Sequence, residues 1–150
     1  MTNNNIVVKT KLMRETSVLP FQASNGAAGF DLFADITAPI VIMPGEVVKI
    51  PTGVSFEIPP YFVGLLYPRS SMGIKENLVL ANGTGVIDSD YRGEVIAAIY
   101  NYGKEPRTIH MGQRVAQIVF QPVAKTEILK VDKLNDSARG ECGFGSTGKF

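Results

Sequence analysis

The chain has 150 residues, of which 45% are hydrophobic, and its 15 basic and 14 acidic residues leave a net charge of +1. This length predicts one domain with a substantial core. No apolar run is long enough to span a membrane. The near-neutral charge argues against a large nucleic-acid interface. The first residues lack the features of a signal peptide, and the single Cys142 cannot form an internal disulfide. Both observations favour a cytoplasmic protein.

Short β-rich runs, separated by proline and glycine turn signals, occupy most of the chain, and helical periodicity is nearly absent. In chain order the runs are Ile6–Val8, the apolar strand around Asp31, Ile40–Met43, Val47–Ile50, Val54–Ile58, Phe62–Leu66, Val95–Tyr100, Val115–Phe120 and Ile128–Val131. The pattern predicts an all-β fold: an antiparallel sandwich, barrel or jelly roll. One short helix is expected at Ser70–Glu76, with Ser70 or Ser71 as its cap.

Asp31 lies within an apolar strand, in the sequence Ala-Gly-Phe-Asp-Leu-Phe-Ala. A carboxylate in such a position must be hydrogen-bonded, paired or close to a cation. Arg114 is a candidate partner, and metal-bound waters are another. A purely structural ion pair explains the pattern equally well.

Arg69 is followed by two serines and by the expected helix. Free N–H groups at a helix start, with an arginine and two hydroxyls beside them, form a site for an anion such as phosphate. An ordinary capped turn with a solvated arginine is the alternative interpretation.

The stretch Asn82–Glu94 combines acids, an aromatic residue and glycines between strand-like runs. Val86–Asp88 and Glu94–Ile96 are interpreted as the two arms of a hairpin, whose backbone groups can read the edge of a base. Asp88 is the candidate general base for a water, and Tyr91 offers a flat face to a sugar. An ordinary polar turn explains Ser89, Asp90 and Gly93, but it explains Asn82, Asp88 and Tyr91 less well.

The final stretch, Arg139–Phe150, is rich in glycine and carries cations, hydroxyls and one aromatic residue. Gly143–Lys149 matches the letters of a P-loop, but Phe150 follows where Ser or Thr is required, so that interpretation is rejected. Backbone N–H groups and hydroxyls in a flexible segment are still suited to phosphate, and Phe144 to a base or sugar. The alternative is a disordered tail without function.

Five stretches in this order resemble the five motifs of the trimeric deoxyuridine triphosphate nucleotidohydrolases (dUTPases). They are residues 28–34, 68–71, 82–93, 112–117 and 139–148. The resemblance implies a β jelly-roll domain over 1–138 and a C-terminal arm over 139–150 that is mobile until it closes over the active site. It also implies a homotrimer with three active sites between subunits.

The reaction implied by the resemblance is Mg²⁺-assisted hydrolysis of dUTP to dUMP and pyrophosphate. It limits uracil incorporation into DNA and supplies dUMP for thymidylate synthesis. No nucleic acid and no membrane is implied as a partner.

The resemblance also assigns roles to individual residues. Asp88 would orient and deprotonate the attacking water, Gln117 would help to hold that water or the α-phosphate, and Asp31 would act through the water shell of the metal and through Arg114. The implied phosphate contacts are Arg69, Ser70 and Ser71, with Arg139, Gly145, Ser146, Thr147 and Gly148 from the arm. The implied nucleoside contacts are Asn82 and the backbone of Gly85, Val86, Ile87 and Ile96 for uracil, Tyr91 for deoxyribose, and Phe144 as a cover for the base.

Two other functions are compatible with parts of the sequence. A dCTP deaminase is similar in fold and in its Arg-Ser-Ser stretch, but Asn82–Gly93 and the glycine-rich arm match the dUTPase versions. A nucleotide-gated regulator would bind dUTP and control a partner through the ordered arm. Because Asp88 and Gln117 are both present, hydrolysis is expected to be retained beside any such regulation.

Overall fold

The computed structural model describes residues 5–141 and 143 of the chain. Eleven strands and one short helix make up this part. The strands are β1 (Lys9–Leu12), β2 (Phe30–Phe33), β3 (Ile40–Ile42), β4 (Val47–Pro51), β5 (Val54–Glu57), β6 (Phe62–Tyr67), β7 (Leu78–Leu80), β8 (Gly85–Ile87), β9 (Ile96–Asn101), β10 (Arg107–Ile109) and β11 (Arg114–Pro122). The helix is a π-helical turn at Met72–Glu76. The all-β prediction with one short helix is confirmed.

The strands form four small antiparallel sheets that enclose one core. The largest has the order β2-β11-β6-β8, and the others are β4-β9-β7, β1-β5 and β10-β3. Strand β11 is the longest, and it pairs with β2 on one side and with β6 on the other. The sheets therefore place the sequence stretches around residues 31, 68 and 117 on neighbouring strands.

The core consists of aliphatic side chains from the inner faces of these sheets. In β9 the alternation is clear: Ala97, Ile99 and Asn101 are buried, while the residues between them are more exposed, as expected for a strand with one face on the core. The largest fully buried aliphatic side chains are Leu32, Ile42, Ile50, Leu78, Ile99, Ile109 and Ile118. No helix among the described residues is long and apolar enough to cross a membrane.

Two of the predicted strands are wrong. Ile6–Val8 is not a strand, and the first strand begins directly after it, at Lys9. Ile128–Val131 also forms no strand, and its residues have no β-pairing partner among the strands of the described chain. There Ile128 is 97% exposed and Leu129 is 77% exposed. Apolar runs predict strands only where a neighbouring strand is present to pair with them.

The expected pairing of the Asn82–Glu94 hairpin is also wrong. β8 pairs with β6, whereas β9 pairs with β4 and β7, so the two arms enter different sheets. The predicted serine cap is wrong as well. Ser71 has helical backbone angles and makes no side-chain capping bond, and the N–H groups of Met72 and Gly73 instead donate to the carbonyl of Arg69.

Candidate active site

Asp31 joins two arginines from different stretches of the sequence. Its Oδ1 accepts a hydrogen bond from Arg69 Nε and its Oδ2 accepts one from Arg114 Nη1, each at 3.0 Å. The Asp31 side chain is 12% exposed, while those of Arg69 and Arg114 are 27% and 41% exposed. The expectation that Arg114 pairs with Asp31 is confirmed. Both guanidinium groups keep N–H donors beyond the carboxylate, which suits them to an anionic ligand.

Two local features hold Arg114 in this position. The register between β11 and β2 shifts between Arg114 and Ala116, so Val115 is the extra residue of a bulge. In a regular strand the side chains of Arg114 and Gln117 would point to opposite faces of the sheet. The bulge adds one residue between them, so both side chains point to the same face. Phe21 packs its ring 5.2 Å from the Arg114 guanidinium carbon and forms a backbone bridge with Asp31.

Gln117 connects the same strand with the end of β6. It lies opposite Asp31 on one side and opposite Tyr67 on the other. Its Nε2 donates to the carbonyl of Pro68 at 3.0 Å. A Cβ at Gly29 would lie 3.4 Å from Gln117 Oε1 and 3.2 Å from the carbonyl of Ile118, so glycine permits the close approach of this segment to β11.

Ser70 and Ser71 follow directly, in the turn that leads into the π-helix. Ser70 is exposed and Ser71 is half-buried. Since Ser71 makes no capping hydrogen bond, its hydroxyl is not used to begin the helix. The turn therefore places two hydroxyls beside Arg69, while two of its N–H groups are already satisfied by the Arg69 carbonyl.

The residues expected to recognise uracil lie around β8. This strand is at the edge of its sheet and pairs only with β6 among the described strands, so one of its edges presents backbone donors and acceptors. The Asn82 amide nitrogen lies 3.6 Å from the position of a Cβ at Gly85. Ile96 is separated from this group by its pairing, since it begins β9 in a different sheet, and it is 39% exposed.

Asp88 and Tyr91 occupy the loop that follows β8. The Tyr91 N–H donates to the Asp88 carbonyl at 3.1 Å, and the Tyr91 hydroxyl donates to the Glu94 carbonyl at 3.1 Å. The tyrosine ring lies against Gly93, where a Cβ would meet the hydroxyl oxygen at 2.3 Å. Asp88 is exposed, so its carboxylate is accessible to a water and a ligand.

Gln117 and Asp88, the two candidate catalytic residues, lie towards opposite ends of β6. Gln117 is opposite Tyr67, whereas Ile87, the residue before Asp88, is opposite Gly64. Asp88 is therefore level with Val63, about 13 Å from the Tyr67 end at about 3.3 Å per residue. A general base acts within hydrogen-bond reach of its water, so Asp88 and Gln117 of one chain are too far apart to act on the same phosphorus atom.

Behind the loop lies a charged network that the sequence interpretation missed. Arg14 donates through Nε to Asp35 at 2.8 Å and through Nη1 and Nη2 to the Glu94 carboxylate. Thr16 and Ser17 each donate to Asp35 at 2.6 Å. Asp35 stands between the buried residues Ala34 and Ile36, and this apolar setting is the signal that predicts a partner for its carboxylate, as it does for Asp31.

The network shifts the pKa values of its members. Burial raises the pKa of the Asp35 carboxyl, but hydrogen bonds from Ser17, Thr16 and Arg14 outweigh it and hold that pKa below its ordinary value. The hydrogen bond from Arg14 lowers the pKa of Glu94, and the Gly53 N–H lowers it further. Glu94 in turn raises the pKa of Arg14. All three groups are therefore charged at neutral pH.

The acidic residues of the site suit a metal that is shared with a ligand. Among residues 5–141 and 143, no group of three or more His, Cys, Asp or Glu side chains could hold a metal ion. Each oxygen of Asp31 already accepts an arginine bond. Mg²⁺ commonly keeps several waters and binds through one or two carboxylates plus substrate phosphates. A contact of Asp31 with such an ion through water stays a prediction.

Of the expected arm, only residues 139–141 and 143 are among the described residues. Arg139 is exposed and belongs to a turn that includes Gly140, whose φ is +55°. Phe144, Gly145, Ser146, Thr147 and Gly148 lie outside the described residues. Their expected contacts, and the boundary between a domain over 1–138 and an arm over 139–150, stay predictions.

Comparison with known proteins identifies close relatives over nearly the whole chain. The dUTPase family model matches residues 15–148. A deoxyuridine 5'-triphosphate nucleotidohydrolase of Desulfitobacterium hafniense is 47% identical over 148 residues, which cover 97% of this chain and 98% of the relative. The enzyme of the same name from Caldanaerobacter subterraneus subsp. tengcongensis is 43% identical, over 95% of this chain and 98% of the relative.

Solved structures share the fold. The dUTPase of Staphylococcus bacteriophage 80alpha with dUPNHPP has a TM-score of 0.88 and 29% identity, covering 96% of this chain and 99% of that chain. A mutant dUTPase from phage phi11 of S. aureus, described for its coordination of a structural Mg(II) ion, has a TM-score of 0.79 and 25% identity over 87% of this chain and 100% of that one. The predicted jelly-roll-like β fold is confirmed.

Proposed function

The chain belongs to the dUTPase family and is a dUTP-hydrolysing enzyme, and from this premise we propose that it cleaves dUTP to dUMP and pyrophosphate in sites shared between neighbouring copies. The observation that carries the shared site is the separation along β6. Asp31, Arg69, Arg114 and Gln117 lie at one end of that strand, and Asp88 and Tyr91 lie at the other. One copy supplies the phosphate-binding end, and a second supplies the base and the nucleoside pocket.

The shared site requires an assembly of copies, and the family resemblance implies a homotrimer. The segment after β11 supports such an assembly, because Ile128, Leu129 and Leu134 are each more than three-quarters exposed in the single chain. Several strongly exposed apolar side chains in one segment are typical of a surface that a partner covers. The single cysteine supports a cytoplasmic enzyme.

Asp88 is the general base in this proposal. It takes a proton from a water that attacks the α-phosphorus, the bond from that phosphorus to the bridging oxygen of the β-phosphate breaks, and pyrophosphate leaves. The Nε2 of Gln117 in the neighbouring copy donates to the carbonyl of Pro68. The Oε1 of Gln117 can then accept a hydrogen bond from the attacking water. Phosphoryl transfer depends chiefly on positioning and charge stabilisation.

The triphosphate is held by the cationic end of β6. Arg69 and Arg114 are oriented by Asp31, and Ser70 and Ser71 add hydroxyl donors beside them. Mg²⁺, when bound to the triphosphate, would neutralise its negative charge, and Asp31 would hold the ion through water. Arg139 and the residues after Gly143 are proposed to close over the γ-phosphate, with Phe144 covering the base.

Recognition of uracil is assigned to the free edge of β8. Backbone groups of Gly85, Val86 and Ile87 and the Asn82 amide offer a fixed set of donors and acceptors, and Ile96 borders them from β9. Cytosine presents a donor where uracil presents an acceptor, so it leaves polar contacts unsatisfied at a cost of about 1–3 kcal/mol each. The Tyr91 ring is assigned to the deoxyribose, where it would fill the space of a 2′-hydroxyl.

The direct test is to incubate the protein with each deoxynucleoside triphosphate and Mg²⁺ and to measure pyrophosphate and ammonia. The protein is expected to release pyrophosphate from dUTP and from none of the other deoxynucleoside triphosphates. Ammonia from dCTP would instead support the deaminase.

Replacing Asp88 by Asn is expected to lower kcat by about 10²–10⁴-fold while binding of dUTP, measured by calorimetry, is retained. Full activity of Asp88→Asn would contradict the assignment of the base.

A further inference from the structure

We propose that Glu94 and Arg14 are positioning residues for the loop Asp88–Gly93, and that through Tyr91 they set the enzyme's discrimination between deoxyribose and ribose. The inference rests on the proposed role of Tyr91 as the residue that faces the sugar. Neither Glu94 nor Arg14 is among the residues that the family resemblance assigns to the ligand.

The Glu94 side chain ties the end of the loop to two distant parts of the chain. Its carboxylate accepts two hydrogen bonds from Arg14, 80 residues away, and one from the Gly53 N–H at 2.7 Å. The side chain is only 19% exposed. A carboxylate with three charge-assisted bonds of this kind has little freedom to move.

The main chain of Glu94 positions the tyrosine. Its carbonyl accepts the hydrogen bond of the Tyr91 hydroxyl, and Gly93, directly before it, forms the surface on which the ring lies. Any shift of Glu94 therefore displaces both the acceptor and the surface. The ring would then move away from the position in which it fills the 2′ space.

Arg14 is itself fixed from the other side. Its Nε donates to Asp35, which is 8% exposed and is held by Thr16 and Ser17. The guanidinium thus bridges a buried carboxylate and the loop carboxylate in one rigid arrangement. A lysine at position 14 has a single ammonium group and cannot reproduce the fork that contacts both.

A second tether acts on the same side of the loop. The Ser55 hydroxyl of β5 donates to the Arg92 carbonyl at 2.7 Å. The second half of the loop is therefore held at two residues. Arg92 is bonded to β5, and Glu94 is bonded to the turn before β5 and to the segment after β1. The leading half is fastened by the pairing of β8 with β6, so Asp88 and Tyr91 lie between two fixed ends.

The test compares kcat/KM for dUTP with that for UTP in the assembled enzyme. Glu94→Gln and Arg14→Met are each expected to reduce the dUTP/UTP ratio about tenfold, the order of one lost hydrogen bond, mainly through faster cleavage of UTP. The double variant is expected to resemble either single variant, because the two side chains act as one unit. Glu46→Gln is the matched control: its carboxylate accepts the Met43 N–H in the β3–β4 turn, and its ratio should equal that of the wild type.

Tyr91→Ala separates this inference from the proposed function. If Tyr91→Ala lowers the ratio while Glu94→Gln and Arg14→Met leave it unchanged, the positioning role is overturned and the proposed function stands. If Tyr91→Ala also leaves the ratio unchanged, the sugar-facing role of Tyr91 fails, and the inference fails with it. Should Glu94→Gln not assemble, Ser55→Ala removes the second tether and is expected to lower the ratio in the same way.

Discussion

Single residues in this protein are constrained by the charged groups around them, and Gly53 is the clearest case. Its φ is +71°, a conformation that favours glycine. A Cβ there would lie 2.3 Å from both Asp35 Oδ2 and Ser17 Oγ. The same residue donates its N–H to Glu94 and accepts the Met13 N–H through its carbonyl. The glycine thus donates to Glu94 and lies against Asp35, the two carboxylates of the network.

Gly53→Ala is expected to lower the free energy of unfolding more than Gly45→Ala does. Gly45 has a similar φ of +79°, but a Cβ at Gly45 would meet nothing within 4 Å, so alanine there should cost about 1–2 kcal/mol of backbone strain. At Gly53 the steric conflict should add about 1–3 kcal/mol. Urea unfolding at equal protein concentration measures both variants, and equal losses would contradict the packing argument.

Residues whose environment is local are predictable from the sequence. An aspartate inside an apolar strand requires a partner, and Asp31 has two. The position of Arg114 is less predictable, because it depends on a bulge at Val115 that brings the arginine to the Asp31 face. A bulge is set by pairing with another strand, and the sequence of β11 alone does not reveal it.

At the scale of elements, the network around Arg14 joins the segments after β1 and β2, the turn between β4 and β5, and the segment before β9. The pKa values of Asp35 and Glu94 are both lowered in the folded state. A lowered carboxyl pKa contributes stability above the unfolded value, and this contribution disappears as the pH falls through the folded value. The join between these elements is therefore expected to weaken in acid.

The free energy of unfolding is expected to fall as the pH drops below about 4.5, the ordinary pKa of Glu94, and further below 3.8, that of Asp35. Glu94→Gln should show a smaller fall over the same range, because the glutamine has no proton to gain. Glu57→Gln is the comparison variant, and its free energy of unfolding should fall with pH as that of the wild type does. Glu57 pairs with Lys9 at an exposed position, where solvent screens the charges. Denaturant unfolding at constant ionic strength, from neutral pH into this acid range, makes the measurement; identical slopes in wild type and Glu94→Gln would contradict it.

Elements are predictable from the sequence where both faces of a strand have a fixed environment. β4, β5, β6 and β11 match their predicted runs to within two residues at each end. β7 and β10, with three residues each, were not among the predicted runs. The partners of β8 and β9 could not be predicted, because both arms have the apolar pattern of strands and the choice of sheet depends on distant segments.

At the scale of the whole molecule, the proposed function requires two copies for a complete site, because Asp88 and Gln117 are separated along β6. The sequence indicates this only through the family resemblance, since residue spacing does not reveal which end of a strand a side chain occupies. The exposed apolar residues between Val123 and Leu134 are also explained by an assembly that covers them.

Mixing two inactive variants is expected to restore activity. In the proposed trimer, Asp88→Asn lacks the base and Arg69→Ala lacks a phosphate contact. A trimer that contains both variants therefore has one site that draws both intact residues from different copies. Random assembly from equal amounts gives mixed trimers about three times in four, each with one intact site of three, or about a quarter of wild-type activity. Co-refolding followed by a pyrophosphate assay measures it. Activity no higher than that of the separate variants would place each site within one chain.

In the proposed function, each copy carries one half of an active site at either end of β6. A newly made copy that has folded alone would therefore carry only two unmatched halves. Turnover would then begin only when copies meet, so the activity per copy would depend on the concentration of the protein.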